Sequence, residues 1–284
     1  MRLLDLFTKT STLFFPGCTT FYKNKDGFEA YKLIFNKLGI RFQELEKNLC
    51  SGIEIFEAGY EQEARKQARK VLSILQENNI KSILTTDPKC YKSFTQNYPE
   101  FLPDWQIETI NIWQLILSKL KTKYHLIKNK PMETITFHDS CYLGRHSKIY
   151  NEPRQILEAI GYQIEELDNN KEECFCCGSC GNLPITNPDL ANKIAKEKIS
   201  QVKRIGIKKL VVTNFDNYNL LKKNSKDSGI EILELSEVLA KALDLQTVQY
   251  EENIEGEEKI LAETRANIRL KEELKDEDYY DETY

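Results

Sequence analysis

The stretch TITFHDSC at positions 134–141 contains the pattern on which the chain is built, a short apolar run that ends in polar residues and a cysteine. The stretch TLFFPGC at 12–18 has the same form. Two further apolar runs, at 83–86 and 210–213, lead into the polar segments DPKC and NFDN. Compact apolar runs followed by such residues are typical of buried strands that lead into loops. The sequence therefore predicts strands with candidate functional residues at their carboxyl ends.

Segments with apolar residues at helical spacing separate these strands. The predicted helices occupy 28–38, 61–78, 153–160 and 189–205. Gly39 and Gly161 follow two of them, as is typical of helix C-termini. Short strands are also predicted at 40–42 and 162–167. Strands that alternate with helices through short connections predict an α/β fold with a mainly parallel sheet.

The second half of the chain repeats the first. Cys18 and Cys141 lie 123 residues apart, and Asp87 and Asn214 lie 127 residues apart. Loops that keep their register to within four residues over this distance indicate a duplication. We therefore predict two similar Rossmann-like parallel-sheet domains related by pseudo-twofold symmetry, with their cysteine loops facing a shared cleft.

The repeat also predicts the domain boundaries. The first cysteine-rich domain covers residues 1–128 and the second covers residues 129–247. Residues 248–284 change character, because charged side chains dominate there. This segment is predicted to be a charged tail that is either helical or disordered.

Composition and charge narrow the class of protein. The chain has 284 residues, 40% of them apolar, and a formal net charge of −4. These values are typical of a globular protein and do not indicate nucleic-acid binding. No apolar run approaches the ~20 residues of a membrane span, and the first residues lack the features of a signal peptide. A cytoplasmic location is therefore predicted, where thiols stay reduced or bind metal.

Four of the eight cysteines lie in the stretch CFCCGSC at 174–180. The adjacent Cys176 and Cys177, followed by Gly178, indicate a turn whose backbone bends around a bound group. A metal ion or a metal cluster is the main candidate, because dense disulfide frameworks belong to short secreted chains. In both halves the cysteines follow strand ends, where open α/β sheets bind their ligands.

The cysteine spacing resembles the CCG cysteine-rich domain found in the B-type subunit of heterodisulfide reductase and in iron–sulfur subunits related to lactate and glycolate oxidases. The motifs that carry the resemblance are PGC at 16–18, CYK at 90–92, HDSCYLGRH at 138–146, PR at 153–154 and CCG at 176–178. The likeness covers about residues 12–245. It implies iron–sulfur binding, because the family's motifs hold such clusters, including non-cubane [4Fe-4S] clusters that cleave disulfides.

The sequence departs from the family pattern at four positions. Ser51 replaces an adjacent cysteine, and Asp87, Asn214 and Asn217 replace cysteines of the Cys-x-x-Cys pairs. The resemblance assigns cofactor binding to the remaining cysteines at the family's positions, which are Cys18, Cys50, Cys90, Cys141, Cys176 and Cys177. Neither half keeps the five thiolates that a non-cubane cluster takes in the family, so another type of site is expected.

The predicted metal ligands of the second half are Cys141, Cys176 and Cys177, with Cys174 or Cys180 as the fourth. Four thiolates fit a cubane [4Fe-4S] or a [2Fe-2S] cluster and equally a tetrahedral zinc ion. The resemblance favours iron–sulfur, with [4Fe-4S] as the expected type and zinc as the alternative.

In the first half, Cys18, Cys50 and Cys90 need a fourth ligand from Asp87 or Ser51 if they are to hold a similar group. An empty structural remnant is the alternative there. In the second half His138 and His146 flank Cys141, and they are either ligands or hydrogen-bond donors to cluster sulfur or structural residues. Arg145 either supplies positive charge near a cluster or an anionic substrate or forms a surface salt bridge.

The predicted function is an iron–sulfur electron-transfer or thiol/disulfide-reducing component of a cytoplasmic redox complex, with flavoprotein or ferredoxin-like subunits as partners. The alternative is a non-catalytic scaffold subunit whose degenerate site holds zinc or no metal. A third hypothesis is a metal-free redox sensor in which Cys174 and Cys180 form a reversible disulfide.

Overall fold

The computed structural model of the chain describes residues 10–45 and 48–247. The strands are β1 (Thr12–Phe15), β2 (Ser82–Thr85), β3 (Glu108–Ile110), β4 (Thr134–Phe137), β5 (Gln163–Ile164), β6 (Lys209–Val212) and β7 (Glu231–Glu234). The helices are α1 (Cys18–Lys23), α2 (Lys25–Leu38), α3 (Ile53–Glu57), α4 (Glu61–Glu77), α5 (Pro88–Lys92), α6 (Tyr98–Phe101), α7 (Ile112–Thr122), α8 (Asn151–Ala159), α9 (Leu183–Thr186), α10 (Pro188–Arg204), α11 (Phe215–Ser225) and α12 (Leu235–Ala242). The tail predicted at 248–284 lies outside the described residues.

The strands form two parallel sheets with the same strand order. The first sheet runs β1-β2-β3 and the second runs β5-β4-β6-β7. In the first sheet the backbone at Gln43 pairs in parallel with Leu13 of β1, and it takes the place that β5 has in the second. The prediction of an α/β fold with two similar parallel-sheet halves is confirmed.

Two predicted edge strands are shorter than expected. The predicted strand at 40–42 is wrong, because the backbone there pairs with β1 through a single bridge at Gln43. Within 162–167, the strand is limited to β5. Beyond β5 the Glu165 N–H still donates to the Ile135 carbonyl at 2.9 Å, and the Glu166 carboxylate then pairs with the buried Arg154 at 2.8 Å.

Helix α2 shows why the predicted helices form where they do. Its buried face consists of Phe28, Ala30, Tyr31, Ile34, Phe35 and Leu38, at spacings typical of an amphipathic helix. Gly39 ends the helix with a φ of 68°, and its N–H donates to the Asn36 carbonyl at 3.1 Å. Gly161 follows α8 with a φ of 104°. Both glycines adopt the left-handed conformation that the sequence predicts for them.

One apolar cluster lies within the first half, and a larger core extends across both halves. Its buried members include Phe35 of the first half and Phe215 of the second. Tyr31 of α2 also donates a hydrogen bond to the buried Glu234 at 2.8 Å. The two halves pack within one compact unit. The predicted boundary after residue 128 therefore separates two repeats of that unit. That the two repeats are separate domains stays a prediction.

The carboxyl ends of the central strands of both halves meet at the junction between them. Lys89 in α5 forms an ion pair with Asp216 in α11 at 2.7 Å. These two residues are 127 positions apart, the same offset that relates Asp87 to Asn214. Equivalent helix starts of the two halves therefore lie side by side.

None of the helices in the described ranges combines the length and the apolar character needed to cross a bilayer.

Candidate metal centre

Strand ends deliver most of the predicted site residues. The four central strands lead to the segments that carry Cys18 (after β1), Asp87 and Cys90 (after β2), Cys141 (after β4), and Asn214 and Asn217 (after β6). The remaining cysteines lie in two loops, one that precedes α3 and one between β5 and α9. The fold thus brings residues that are far apart in sequence to one edge of each sheet.

Three thiols of the second half lie together. The Cys141 side chain hydrogen-bonds with Cys176 and with Cys180, which raises the pKa of Cys141. The bond from Cys141 is also the main cause that lowers the pKa of Cys176 to about 6. The Gly178 N–H donates a further hydrogen bond to the Cys176 sulfur at 3.4 Å. The Cys176 thiol therefore ionises readily to the thiolate, the form of cysteine that binds metals.

Cys177 is buried beside this group. Its sulfur lies 3.4 Å from Ser179 Oγ and accepts a hydrogen bond from Asn217 Nδ2 at 3.0 Å. Burial raises the pKa of Cys177 to about 12. Asn217 stands where the family pattern has a cysteine of the final Cys-x-x-Cys pair. Its side-chain amide donates a hydrogen bond to the Cys177 sulfur instead of supplying a thiol.

Replacement of Asn217 by aspartate is expected to lower the free energy of unfolding of the metal-free protein by about 1–3 kcal/mol. The amide donates to the Cys177 sulfur and, at 2.6 Å, to Ser179 Oγ, and a buried carboxylate can donate to neither. Asn214→Asp is the matched control. Asn214 caps α11 by accepting from the Asn217 N–H, and Asp87 has the same capping role in α5. Urea denaturation measures both variants, and equal losses of stability would contradict a specific bond to Cys177.

The Cys174 sulfur has contacts of its own, with His138 and Lys198. It lies 3.5 Å from His138 Nδ1 and 3.6 Å from Lys198 Nζ, and burial raises the pKa of Cys174. Arg145 donates to the Cys174 carbonyl at 2.7 Å and so fixes the backbone of the loop. Of the two residues predicted as a fourth ligand, Cys180 therefore joins the group and Cys174 does not. All eight cysteines are free, and the proposed disulfide between these two stays a prediction.

The two histidines near Cys141 have different surroundings. His138 is buried beside Cys174, and burial lowers its pKa well below the ordinary value. The His146 ring instead lies 5.2 Å from the ring of Tyr142. His138 is thus a direct neighbour of a predicted site cysteine, whereas His146 packs on an aromatic side chain.

The first half has a smaller group of thiols. Cys18 hydrogen-bonds with Cys50, which lowers the pKa of Cys50 to about 7. The Gly52 N–H donates to the same sulfur at 3.4 Å. Cys90 is buried, which raises its pKa, and its sulfur lies 3.3 Å from Ser51 Oγ. Two of the three predicted cysteines are therefore in direct contact, and the third contacts the serine that follows Cys50.

The residues predicted as a fourth ligand of the first half already have partners. Asp87 caps α5 by accepting from the N–H groups of Lys89 and Cys90, at 2.7 and 3.3 Å, and burial raises its pKa to about 6. Ser51 contacts Cys90. Both Asp87 bonds use the same oxygen, Oδ1, and metal binding by the first half stays a prediction.

Within residues 10–45 and 48–247, no three His, Cys, Asp or Glu side chains are arranged to hold a single metal ion. The thiols of the second half nevertheless supply the donor that soft metals and iron–sulfur clusters prefer. One of them has a lowered pKa, as metal-binding cysteines do. The chemistry of this donor set therefore fits an iron–sulfur cluster.

Two buried lysines are absent from the sequence-based predictions. Lys89 pairs with one carboxylate from each half. Lys198 is fully buried on α10. The sequence contains a signal for the burial of Lys198, because this residue lies at helical spacing with the buried Ala195 and Val202. A lysine inside an apolar stripe indicates either a snorkelling side chain or a buried charge with a function.

The cysteine pattern and the fold have counterparts in known proteins. A family model described as the CCG cysteine-rich domain matches the chain twice, at residues 12–95 and 135–216. Among solved structures, a hypothetical protein from Helicobacter pylori aligns with a TM-score of 0.60 at 15% identity, over 86% of this chain and 53% of that one. The similarity to the Helicobacter pylori protein is a similarity of fold alone.

Three curated relatives are similar in sequence. The D-type subunit of the dihydromethanophenazine:CoB–CoM heterodisulfide reductase of Methanosarcina barkeri is 31% identical over 84% of this chain and 60% of its own length. The probable iron-sulfur-binding oxidoreductase FadF of Bacillus subtilis is 35% identical over 66% of this chain and 27% of its own length. The EtfAB:quinone oxidoreductase of Syntrophomonas wolfei is 31% identical over 60% of this chain and 24% of its own length.

The chain spans 60% or less of the length of these three relatives. The first of them is a D-type subunit, so the resemblance to the B-type subunit holds at the level of the family. The family model matches the chain once in each of the two halves that the repeat predicts. Each match contains cysteines that the structure places at or near strand ends. The chain belongs to the CCG cysteine-rich domain family.

Proposed function

We propose that the chain is an iron–sulfur protein that transfers electrons within a redox complex of several subunits. The observation that carries this proposal is the contact of Cys141 with both Cys176 and Cys180 at the end of β4. The names of the curated relatives support it, because they include an iron-sulfur-binding oxidoreductase and one of the subunits of a heterodisulfide reductase.

The proposed ligands are Cys141, Cys176, Cys177 and Cys180. Four thiolates are the ligand set of a [4Fe-4S] cluster, which supplies one-electron transfer when bound. Cys177 completes the set because it lies next to Cys176 in the turn, and Ser179 Oγ is 3.4 Å from its sulfur and 3.5 Å from the Cys180 sulfur. Asn217 donates to the Cys177 sulfur and so stabilises negative charge on it.

Electron transfer is preferred to disulfide reduction as the role of this protein. The disulfide-cleaving clusters that the family resemblance implies take five thiolates, whereas the second half offers four as ligands. The proposed partners are flavoprotein or ferredoxin-like subunits, and the proposed location is the cytoplasm. The partner proposal draws on the relatives whose names place them in a heterodisulfide reductase and in an EtfAB:quinone oxidoreductase.

Anaerobic purification followed by iron, sulfide and zinc determination tests the proposal. We expect iron and acid-labile sulfide in the wild type, with visible absorption that is lost in Cys176→Ser, because that sulfur is a ligand. Cys174→Ser is the matched control in the same loop and should keep the absorption, since its sulfur faces His138 and Lys198.

Two results would overturn the proposal. One is a wild-type protein without iron or sulfide after anaerobic reconstitution. The other is one zinc ion per chain without sulfide, which would indicate a scaffold protein with a structural metal.

A further inference from the structure

Lys198 is a buried lysine that has no carboxylate partner among the described residues. Its side chain lies on the inner face of α10 and is 0% exposed. Its Nζ atom is 3.6 Å from the Cys174 sulfur and 5.8 Å from the centre of the Phe175 ring. In the part of the chain that the structure describes, no Asp or Glu oxygen forms an ion pair with it.

The other buried lysine shows how this protein normally neutralises such a charge. Lys89 is also buried, and it pairs with Glu54 at 2.6 Å and with Asp216 at 2.7 Å. Removing an ammonium group from water costs several kcal/mol unless an anion compensates it. Lys89 has two carboxylate partners, whereas Lys198 has none in the described ranges. The Cys174 sulfur beside its Nζ atom is a thiol whose pKa is raised by burial, so an anion from another source would compensate the charge of Lys198.

The position of Lys198 indicates where that anion belongs. Its contacts are to Cys174 and Phe175, the two residues that directly precede Cys176. The neighbouring His138 does not supply a negative charge. Arg145 contacts the same loop through the Cys174 carbonyl and adds a second positive charge beside it. A cluster held by several thiolates is an anion, and it would lie next to this loop.

We propose that Lys198 is the buried counter-cation of the group bound by the cysteine loop, and that its charge raises the reduction potential of that group. This inference rests on the proposed iron–sulfur function. Reduction adds one electron to a centre that is already anionic, and a nearby positive charge in a poorly solvated environment stabilises the reduced form more than the oxidised form. The same charge destabilises the metal-free protein, in which the described residues offer it no carboxylate counter-ion.

Two variants and one control distinguish the effect of the Lys198 charge from the effect of its side-chain packing. Lys198→Met removes the charge and keeps most of the side-chain volume, and Lys198→Arg keeps the charge. Lys196→Met is the control, because Lys196 is exposed on the same helix. An anaerobic redox titration followed by visible absorption gives the midpoint potential of each loaded protein.

We expect the midpoint potential of Lys198→Met to be lower than that of the wild type by about 59 mV, which is a tenfold change for a one-electron couple. Lys198→Arg and Lys196→Met should titrate like the wild type. Urea denaturation of the metal-free proteins is the second measurement, and Lys198→Met should unfold at a higher urea concentration than the wild type.

An unchanged potential in Lys198→Met would overturn the inference, and so would a metal-free Lys198→Met protein that is less stable than the wild type or does not fold. Both results would leave the proposed function intact, because that depends on iron and sulfide in the wild type. A wild type without a cluster would instead overturn the proposed function, and the two failures are therefore distinguishable.

Discussion

Substitution of Gly178 by alanine is expected to destabilise the protein by about 2–4 kcal/mol and to prevent the cysteine turn from forming. Gly178 has a φ of 89°, a conformation that costs other residues about 1–2 kcal/mol. A Cβ atom would also lie 2.8 Å from the Ala191 carbonyl oxygen of α10. Relief of such a contact costs about 1–3 kcal/mol, because the helix or the turn must move.

The turn matters for the site because Gly178 directly follows the two adjacent cysteines. Its N–H donates to the Cys176 sulfur at 3.4 Å, so displacement of the backbone would remove this bond and shift both thiols. We therefore expect Gly178→Ala to bind much less iron than the wild type after anaerobic reconstitution.

Gly181→Ala is the matched control for the turn. Gly181 lies in the same loop with a φ of 65°, but a Cβ atom there would have no neighbour within 4 Å. This variant has the conformational cost without the clash, so it should lose about 1 kcal/mol and keep its iron. Urea denaturation and iron determination are applied to both proteins. A loss of stability that is the same in both would contradict the role of the contact with α10.

Much of the fold could be predicted because local patterns and tertiary contacts agree. The apolar run at 134–137 becomes β4 with the same bounds. Gly39 and Gly161 end their helices as expected, because the left-handed conformation is a local property of glycine. The edge strands could not be predicted to the same accuracy, because the apolar pattern does not show how far an edge strand pairs with its one neighbour. The strand β5 pairs with β4 over two residues only.

The candidate site could be predicted only in part. Strand order brings Cys141 close to the loop with Cys176, as expected from the carboxyl ends of parallel strands. The preference for Cys180 over Cys174 could not be read from spacing, because each is within four residues of Cys176 and the backbone of the turn decides which sulfur faces Cys141. Lys198 was missed because patterns of apolar spacing treat lysine as a surface residue.

Substitution of Arg154 by methionine is expected to lower the free energy of unfolding by about 3–5 kcal/mol, because it leaves a buried carboxylate without its partner. The Arg154 guanidinium donates to both carboxylate oxygens of Asp139, at 2.7 and 2.8 Å, in a site where both side chains are buried. Asp139 also accepts from the Lys171 N–H at 2.8 Å. The pair therefore links the segment before Cys141 to the segment before Cys174.

A double-mutant cycle with Asp139→Asn distinguishes this pair from a general packing effect. Asp139→Asn alone should also be destabilising, because it leaves the Arg154 cation partly unpaired. The double variant should lose less than the sum of the two single losses, by about 1–3 kcal/mol, since neither partner is then left alone. Arg204→Met is the control for loss of an exposed ion pair. Arg204 pairs with Glu197 at 3.0 Å on the surface, where such pairs contribute about 0–1 kcal/mol.

Urea denaturation of the four proteins and the control gives the coupling energy directly, provided that the slope of the free energy with urea stays constant. Additive losses in the cycle would contradict a direct interaction of Arg154 with Asp139. The same proteins report on the site, because the linked segments carry Cys141 and Cys174. If the ion pair positions the cysteine loop, then Arg154→Met should bind less iron than the wild type even in the absence of urea, where it is folded, whereas Arg204→Met should bind the wild-type amount.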